Sequence, residues 1–260
     1  MKRRSLILGA AAGVAAPVIA SGATPAAATT RDATATSGTL GGAYTKPGYF
    51  PSPSNKAANL KTLPPSTQQV IVVTGNGYST TYATLETYAK KRGRWTAVSA
   101  PLPARIGKNG FSDNHVEGVP TTPTGVYSIG PTMYGIAANP GVRYPYHQVV
   151  VNDWWNEDST SPYYNTFQHT TATLAPPSEK LWTETTAYKH FAVITYNMPP
   201  NVAKPEPYAG SGIFLHESTG GPTAGCVSLS HDHLVGVLKW LKPEADPRIV
   251  MCPVQNLSRY

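Results

Sequence analysis

Prolines and glycines punctuate this chain so densely that long helices have little room to form. There are 25 Pro and 23 Gly in 260 residues, and each proline fixes φ and removes a backbone N–H that a helix interior or central strand needs. The apolar residues between them fall into short runs. Gln69-Val70-Ile71-Val72-Val73 is β-branched and closed by Gly75-Asn76-Gly77. Residues 83–91 alternate Leu85, Thr87, Ala89 with Glu86, Tyr88, Lys90, and Trp95-Thr96-Ala97-Val98 follows a turn at Gly93. Further strands are expected at 125–129, 147–151, 190–196 and 212–216. One segment has helical spacing: Leu234, Val237, Leu238 and Leu241 share a face, Ser230 is placed to cap it, and Pro243 stops it. Many strands and one helix predict a mainly-β, sandwich-like fold with a single principal helix.

The first residues belong to export rather than to the fold. Lys2-Arg3-Arg4 precedes an uncharged, Ala-rich run, and Ala26-Ala27-Ala28 offers a small-residue cleavage site. Residues 1–28 therefore read as a secretory signal peptide, and the paired arginines are compatible with twin-arginine as well as ordinary export. Its loss leaves 18 Lys+Arg against 14 Asp+Glu, a net of +4 in place of +7. That mild excess suits an anionic cell surface and argues against a nucleic-acid partner. Residues 29–66, rich in Ala, Thr, Gly, Ser and Pro, read as a flexible linker, and 67–254 as one catalytic domain. No membrane-spanning run is expected, and the sequence is silent on oligomeric state.

The chemistry concentrates in SGIFLHESTGGPTAGC, residues 211–226. An apolar strand delivers His216, a Gly/Pro loop turns back, and Gly225 leads directly into Cys226. A thiol nucleophile needs a nearby base, open access and backbone N–H groups facing an oxyanion. His216 is the candidate base, Cys226 the nucleophile, and the Gly225 and Cys226 N–H groups the candidate oxyanion donors. Strand alternation places Phe214 and His216 on one face and Glu217 on the other, so a backbone carbonyl or a distant residue is expected to orient the imidazole. A Cys226–Cys252 bridge competes with this reading, although Cys252 ends the run Ile249-Val250-Met251 and reads as a buried strand residue. His231 and His233 lie two positions apart, about 200° around a helix, and no metal-ligand spacing joins them to the cysteines. No metal and no cofactor is expected.

With those residues in place, the chain resembles the L,D-transpeptidase catalytic-domain family, in an actinobacterial secreted form. GIFLHESTGGPTAGCVSL is similar to the family's active-site block. Upstream, Arg105-Ile106-Gly107, Glu117-Gly118 and Thr121-Thr122-Pro123-Thr124-Gly125-Val126-Tyr127 are similar to its T-P-x-G strand, and Asn152-Asp153-Trp154-Trp155 through Asn165 to a substrate-side region. The resemblance implies that Cys226 forms a thioester with a peptidoglycan stem peptide, that His216 carries the proton, and that an amine from a second stem completes a 3→3 cross-link. Water in place of that amine would make an L,D-carboxypeptidase or other hydrolase, and loss of the chemistry a wall-binding protein. The chain departs from the family's usual S-H-G-C in Thr223-Ala224-Gly225-Cys226, which lacks the second histidine, and in a shorter spacing from His216 to Cys226. The aromatics between Tyr144 and Tyr164 read for the most part as packing.

Overall fold

The first strand of the domain has no exposed face. In the computed structural model, which describes residues 55–260, β1 (Gln69–Gly75) is buried at every position, as its unbroken β-branched run requires. The signal peptide and the linker up to residue 54 lie outside the described residues. The strands that follow are β2 (Tyr82–Lys91), β3 (Arg94–Ala97), β4 (Leu102–Arg105), β5 (Phe111–Ser112), β6 (Thr122–Pro123), β7 (Gly125–Gly135) and β8 (Tyr146–Gln148). Then come β9 (Asp153–Asn156), β10 (Thr166–His169), β11 (Glu179–Lys180), β12 (Phe191–Ile194), β13 (Phe214–Glu217) and β14 (Val227–Leu229). The one α-helix among the described residues, α1 (His231–Trp240), precedes the last strand, β15 (Arg248–Pro253).

Ten strands form one sheet: nine follow the path β1-β15-β7-β12-β13-β14-β4-β2-β3, β8 pairs with β7 off that path, and β2 also pairs with β1. The sheet therefore curls until its two walls enclose one core, the mainly-β architecture expected from the sequence. Alternate residues of each strand point inward. Ile71, Val73, Ile249 and Met251 meet Met133, Leu215, Val227 and Leu229 there. The helix closes that core with Leu234, Val237, Leu238 and Leu241, the four positions its spacing predicted. Ser230 occupies the N-cap position, although its side chain makes no capping hydrogen bond.

Two further layers cover the outside of the curled sheet. The small sheet β10-β9-β11 lays Trp155 against Phe191 and Phe214, its indole standing edge-on to the Phe214 ring at 5.0 Å. Most of the aromatics between Tyr144 and Tyr164 thus pack, as expected. On the β1–β15 side, Val70, Val72, Val250 and Cys252 pack with Ala57 and Leu257. This corrects the expected domain limits at both ends. Residues 55–66 are not linker: a 3-10 turn at Lys56–Asn59 buries Ala57, Lys56 pairs with Glu86 at 2.6 Å, and the Thr62 N–H donates to the Tyr260 carbonyl at 3.1 Å. Apolar surface on the outer face of β1 and β15 needs a cover, and residues 57–63 supply it together with Leu257 and Tyr260.

Two strand limits also differ from expectation. β7 runs on past residue 129 through the exposed Pro131, because a register shift in its pairing with β12 accommodates a residue that cannot donate to the ladder. β8 stops at Gln148, before a turn that exposes Val150 and Val151.

Phe191 is fully buried and touches the rings of Tyr134, Tyr188 and Phe214. Phe191→Ala is expected to cost about 3–5 kcal/mol of unfolding free energy, read from the denaturant midpoint of the purified protein.

Candidate active site

Strand pairing brings the sulfur and the imidazole to the same side of the sheet. β13 runs parallel to β14 with Leu215 opposite Val227 and His216 opposite Ser228. Leu215, Val227 and Leu229 point into the main core. Their neighbours Phe214 and His216, with Cys226 just ahead of β14, therefore face the other way. His216 and Cys226 both line a cleft of about 530 Å³. Both cysteines of the chain are free, and Cys252 packs in a different cluster with Ala57 and Leu257. The disulfide alternative is thereby removed.

The loop that carries Cys226 is tied down by the upstream motif. Thr122 Oγ1 accepts from the Gly107 N–H at 2.9 Å and donates to the Gly225 carbonyl at 2.7 Å. Thr223 bridges to β4's end through the Ile106 carbonyl, and its hydroxyl donates to the Cys226 carbonyl at 2.6 Å. Two glycines are forced by this packing. A Cβ on Gly107 would lie 2.6 Å from the Pro120 carbonyl oxygen, and Gly225 has φ +153 with the Thr121 carbonyl 3.0 Å from where its Cβ would sit. The Gly225 N–H is engaged by Thr223 Oγ1 at 3.2 Å. Of the two expected oxyanion donors, the Cys226 N–H is the one directed to the sulfur side, where it and the Phe214 N–H favour the thiolate.

Burial governs the protonation states. His216 Nδ1 donates to the Glu217 backbone carbonyl at 2.7 Å, so the orienting partner is a carbonyl, and Nε2 keeps its lone pair for a proton. Desolvation lowers the His216 pKa to about 4, against the smaller opposing pull of Glu217. The Cys226 thiol is pushed far above its ordinary value, first by burial and then, after the backbone N–H that favours its charge, by the carboxylates of Glu179 and Glu157. Its hydrogen bonds run from the Phe214 N–H at 3.3 Å and to the Gly212 carbonyl at 3.2 Å. The resting pair is a neutral thiol and a neutral imidazole, each 7 % exposed.

Several lining residues carry no local sequence signal. Glu117, Glu157, Glu179 and Glu184 line the cleft, and none of the described residues lining it is Lys or Arg. Burial, then the charges of Glu179 and Glu117, raises the Glu157 pKa to about 9. Burial likewise raises Glu179, partly offset by the Tyr188 hydroxyl it accepts from. His115, bonded through Nδ1 to Thr121 Oγ1 at 2.9 Å, also lines the cleft. Its Cε1 would lie 3.6 Å from a Cβ on Gly225. Ala224 lines the cleft as well and is exposed, so a histidine does stand beside the cysteine loop, supplied from a distant segment. Glu217 turns its carboxylate away from His216, as alternation predicted, onto His190 and His231. His233 is not with them; it lines a separate hollow beside Thr87 and Trp240.

The model of the YkuD family, described as the L,D-transpeptidase catalytic domain, matches residues 68–251. The chain belongs to this family. Searches of curated proteins and of solved structures return no match. Membership makes the chain an L,D-transpeptidase-type domain directed at peptidoglycan, and the match spans the structure from β1 to β15. Among the described residues no helix is long and apolar enough to cross a membrane.

The pH dependence of stability follows from two buried histidines of the cleft, His216 and His115. His216 and His115 both have pKa values lowered to about 4 by burial, against about 6.5 in an unfolded chain. Below pH 6.5 the unfolded chain takes up protons that the folded chain resists, so stability is fully present above 6.5 and falls as pH drops towards 4. Thermal unfolding followed from pH 7 to pH 4 should show the midpoint falling, and His216→Asn should make the fall shallower.

Proposed function

We propose that this chain is an exported cysteine L,D-transpeptidase that acts on peptidoglycan stem peptides through a thioester on Cys226. The observation that carries the reading is the shared cleft of His216 and Cys226, with the imidazole's Nδ1 held by a carbonyl and its Nε2 unprotonated. In the acylation step the thiol leaves its bond to the Gly212 carbonyl and passes its proton to His216 Nε2. The sulfur bonds to the carbonyl carbon of the third stem residue, and the C–N bond to the terminal D-residue breaks. That leaving amine takes the proton from His216. The Cys226 N–H donates to the oxygen that gains charge, a contribution of roughly 3–4 kcal/mol.

The second half-reaction needs an acceptor, and the acidic wall favours an amine over water. An acceptor amine arrives as an ammonium ion and must lose a proton before it attacks. Burial, then the charges of Glu179 and Glu117, raises Glu157 to about 9, and burial raises Glu179 as well. A cation entering beside them favours the charged form, so a carboxyl releases its proton to solvent, pairs with the ammonium group as a carboxylate and then takes one proton from it. His216 then takes the remaining proton as the amine nitrogen bonds to the thioester carbon and the C–S bond breaks. It returns that proton to the sulfur. The product is a 3→3 cross-link. The leader at 1–28 and the mild positive charge support a site of action at the cell wall.

Incubation with a carbapenem followed by intact-mass measurement is expected to show one adduct per chain, absent in Cys226→Ala. With purified stem tetrapeptides, wild-type protein should form cross-linked dimers. Glu157→Gln should raise the acceptor KM several-fold while leaving carbapenem acylation close to wild type. Release of the terminal D-residue without dimers would assign hydrolysis instead, and binding to peptidoglycan with neither product would assign a wall-binding role.

A further inference from the structure

On the face of β13 opposite the thiol, three side chains from three separate segments converge on one point. His190 Nδ1 lies 2.9 Å from Glu217 Oε1, and His231 Nδ1 lies 3.0 Å from the same oxygen. His190 precedes β12, Glu217 ends β13, and His231 opens α1. His190 and Glu217 are each 5 % exposed, while the His231 side chain is 48 % exposed. Among the described residues, the two histidines are the only basic groups paired with Glu217.

Proton counting makes this cluster unusual. A neutral imidazole has one N–H and one lone pair, yet both nitrogens of His190 face acceptors. Nε2 faces the Ala138 carbonyl at 3.3 Å and Nδ1 faces the carboxylate. With the proton on Nε2, the Nδ1 lone pair and a carboxylate lone pair oppose each other in a buried site. A cation between them converts that repulsion into coordination. Histidines that bind metals commonly donate their second N–H to a backbone carbonyl, which fixes the tautomer that ligates.

We propose that His190, Glu217 and His231 form a zinc site. Two imidazole nitrogens and one carboxylate oxygen are a common zinc donor set, with bonds of about 2.0–2.2 Å. A tetrahedral ion with such bonds holds its ligand atoms about 3.3 Å apart. The three atoms here lie within 4.8 Å of one another, and the two measured separations need to open by only a few tenths of an ångström. The exposed flank at His231 leaves the fourth position to water. No spacing in the sequence announces the site, because 190, 217 and 231 meet only through the pairing of β12 with β13 and the seating of α1.

The site has a consequence for the base on the opposite face. The Glu217 carbonyl accepts the His216 Nδ1 hydrogen bond, so zinc on the Glu217 carboxylate braces the same residue from behind. Zinc binding at this site does not involve Cys226 and stands apart from the transpeptidase reading.

The test is a calorimetric titration of the full chain, stripped with EDTA and dialysed, with zinc chloride, together with thermal unfolding. Uptake of one zinc per chain is expected, with a rise of several degrees in the unfolding midpoint. His231→Ala, at a solvent-exposed side chain, should fold normally and weaken uptake at least tenfold. Cys226→Ala should bind zinc as wild type does, since the thiol lies across the sheet. No stoichiometric uptake, uptake that persists in His231→Ala, or uptake that disappears in Cys226→Ala would each overturn the assignment.

Discussion

The parallel pairing of β13 with β14 is the constraint on which the site depends. With Leu215 opposite Val227, every second residue of both strands enters the main core, and the residues between them face the cleft. A slip of one residue would send Cys226 into the core and Leu215 or Val227 into the cleft. Burial of Leu215, Val227 and Leu229 against α1 and the facing wall makes that slip costly, at roughly 1.5–3 kcal/mol for each large side chain left exposed. The Thr122 clamp on the Gly225 carbonyl then fixes where the loop releases the sulfur. Hydrophobic register and one hydroxyl therefore do the positioning.

The price of such burial is that neither member of the pair is charged at rest. Desolvation acts on both in the same sense, raising the thiol and lowering the imidazole. The carboxylates around the cleft add to it by opposing a thiolate. A stored thiolate is thus unfavourable, and in the proposed reaction proton transfer accompanies attack, when the developing oxyanion and the leaving amine can share the charge. In that proposed reaction the same carboxylates that hinder a thiolate suit an incoming ammonium ion, so the wall that disfavours a preformed ion pair would serve the second half-reaction.

What the sequence reveals follows from how locally each feature is encoded. The period-2 run of β2, the unbroken apolar run of β1, and the Leu234–Leu241 face of the helix are written within a few residues and were legible. So was the His216–Cys226 loop, because both groups and the turn between them lie in one short segment. The opposite orientation of Glu217 followed from alternation alone. The acidic wall was not legible: Glu117, Glu157 and Glu179 come from separate segments, and the small sheet that ends beside Glu157 and holds Glu179 has strands of only two to four residues. His115 reaches the cysteine loop from a turn about a hundred residues upstream. The packing of 55–66 was not legible because its partner, the turn from Val254 to Tyr260, lies about two hundred residues away in sequence.

The central claim is that a neutral imidazole takes the proton from a neutral thiol as the bond to carbon forms. The pH dependence of the acylation rate, followed by intact mass with a carbapenem, measures this directly. With His216 titrating near 4, the wild-type rate should be level from about pH 5.5 to 8.5. In His216→Asn it should be far lower and climb about tenfold per pH unit as free thiolate becomes the only route. A wild-type rate that climbs with the same slope as the variant would contradict the account.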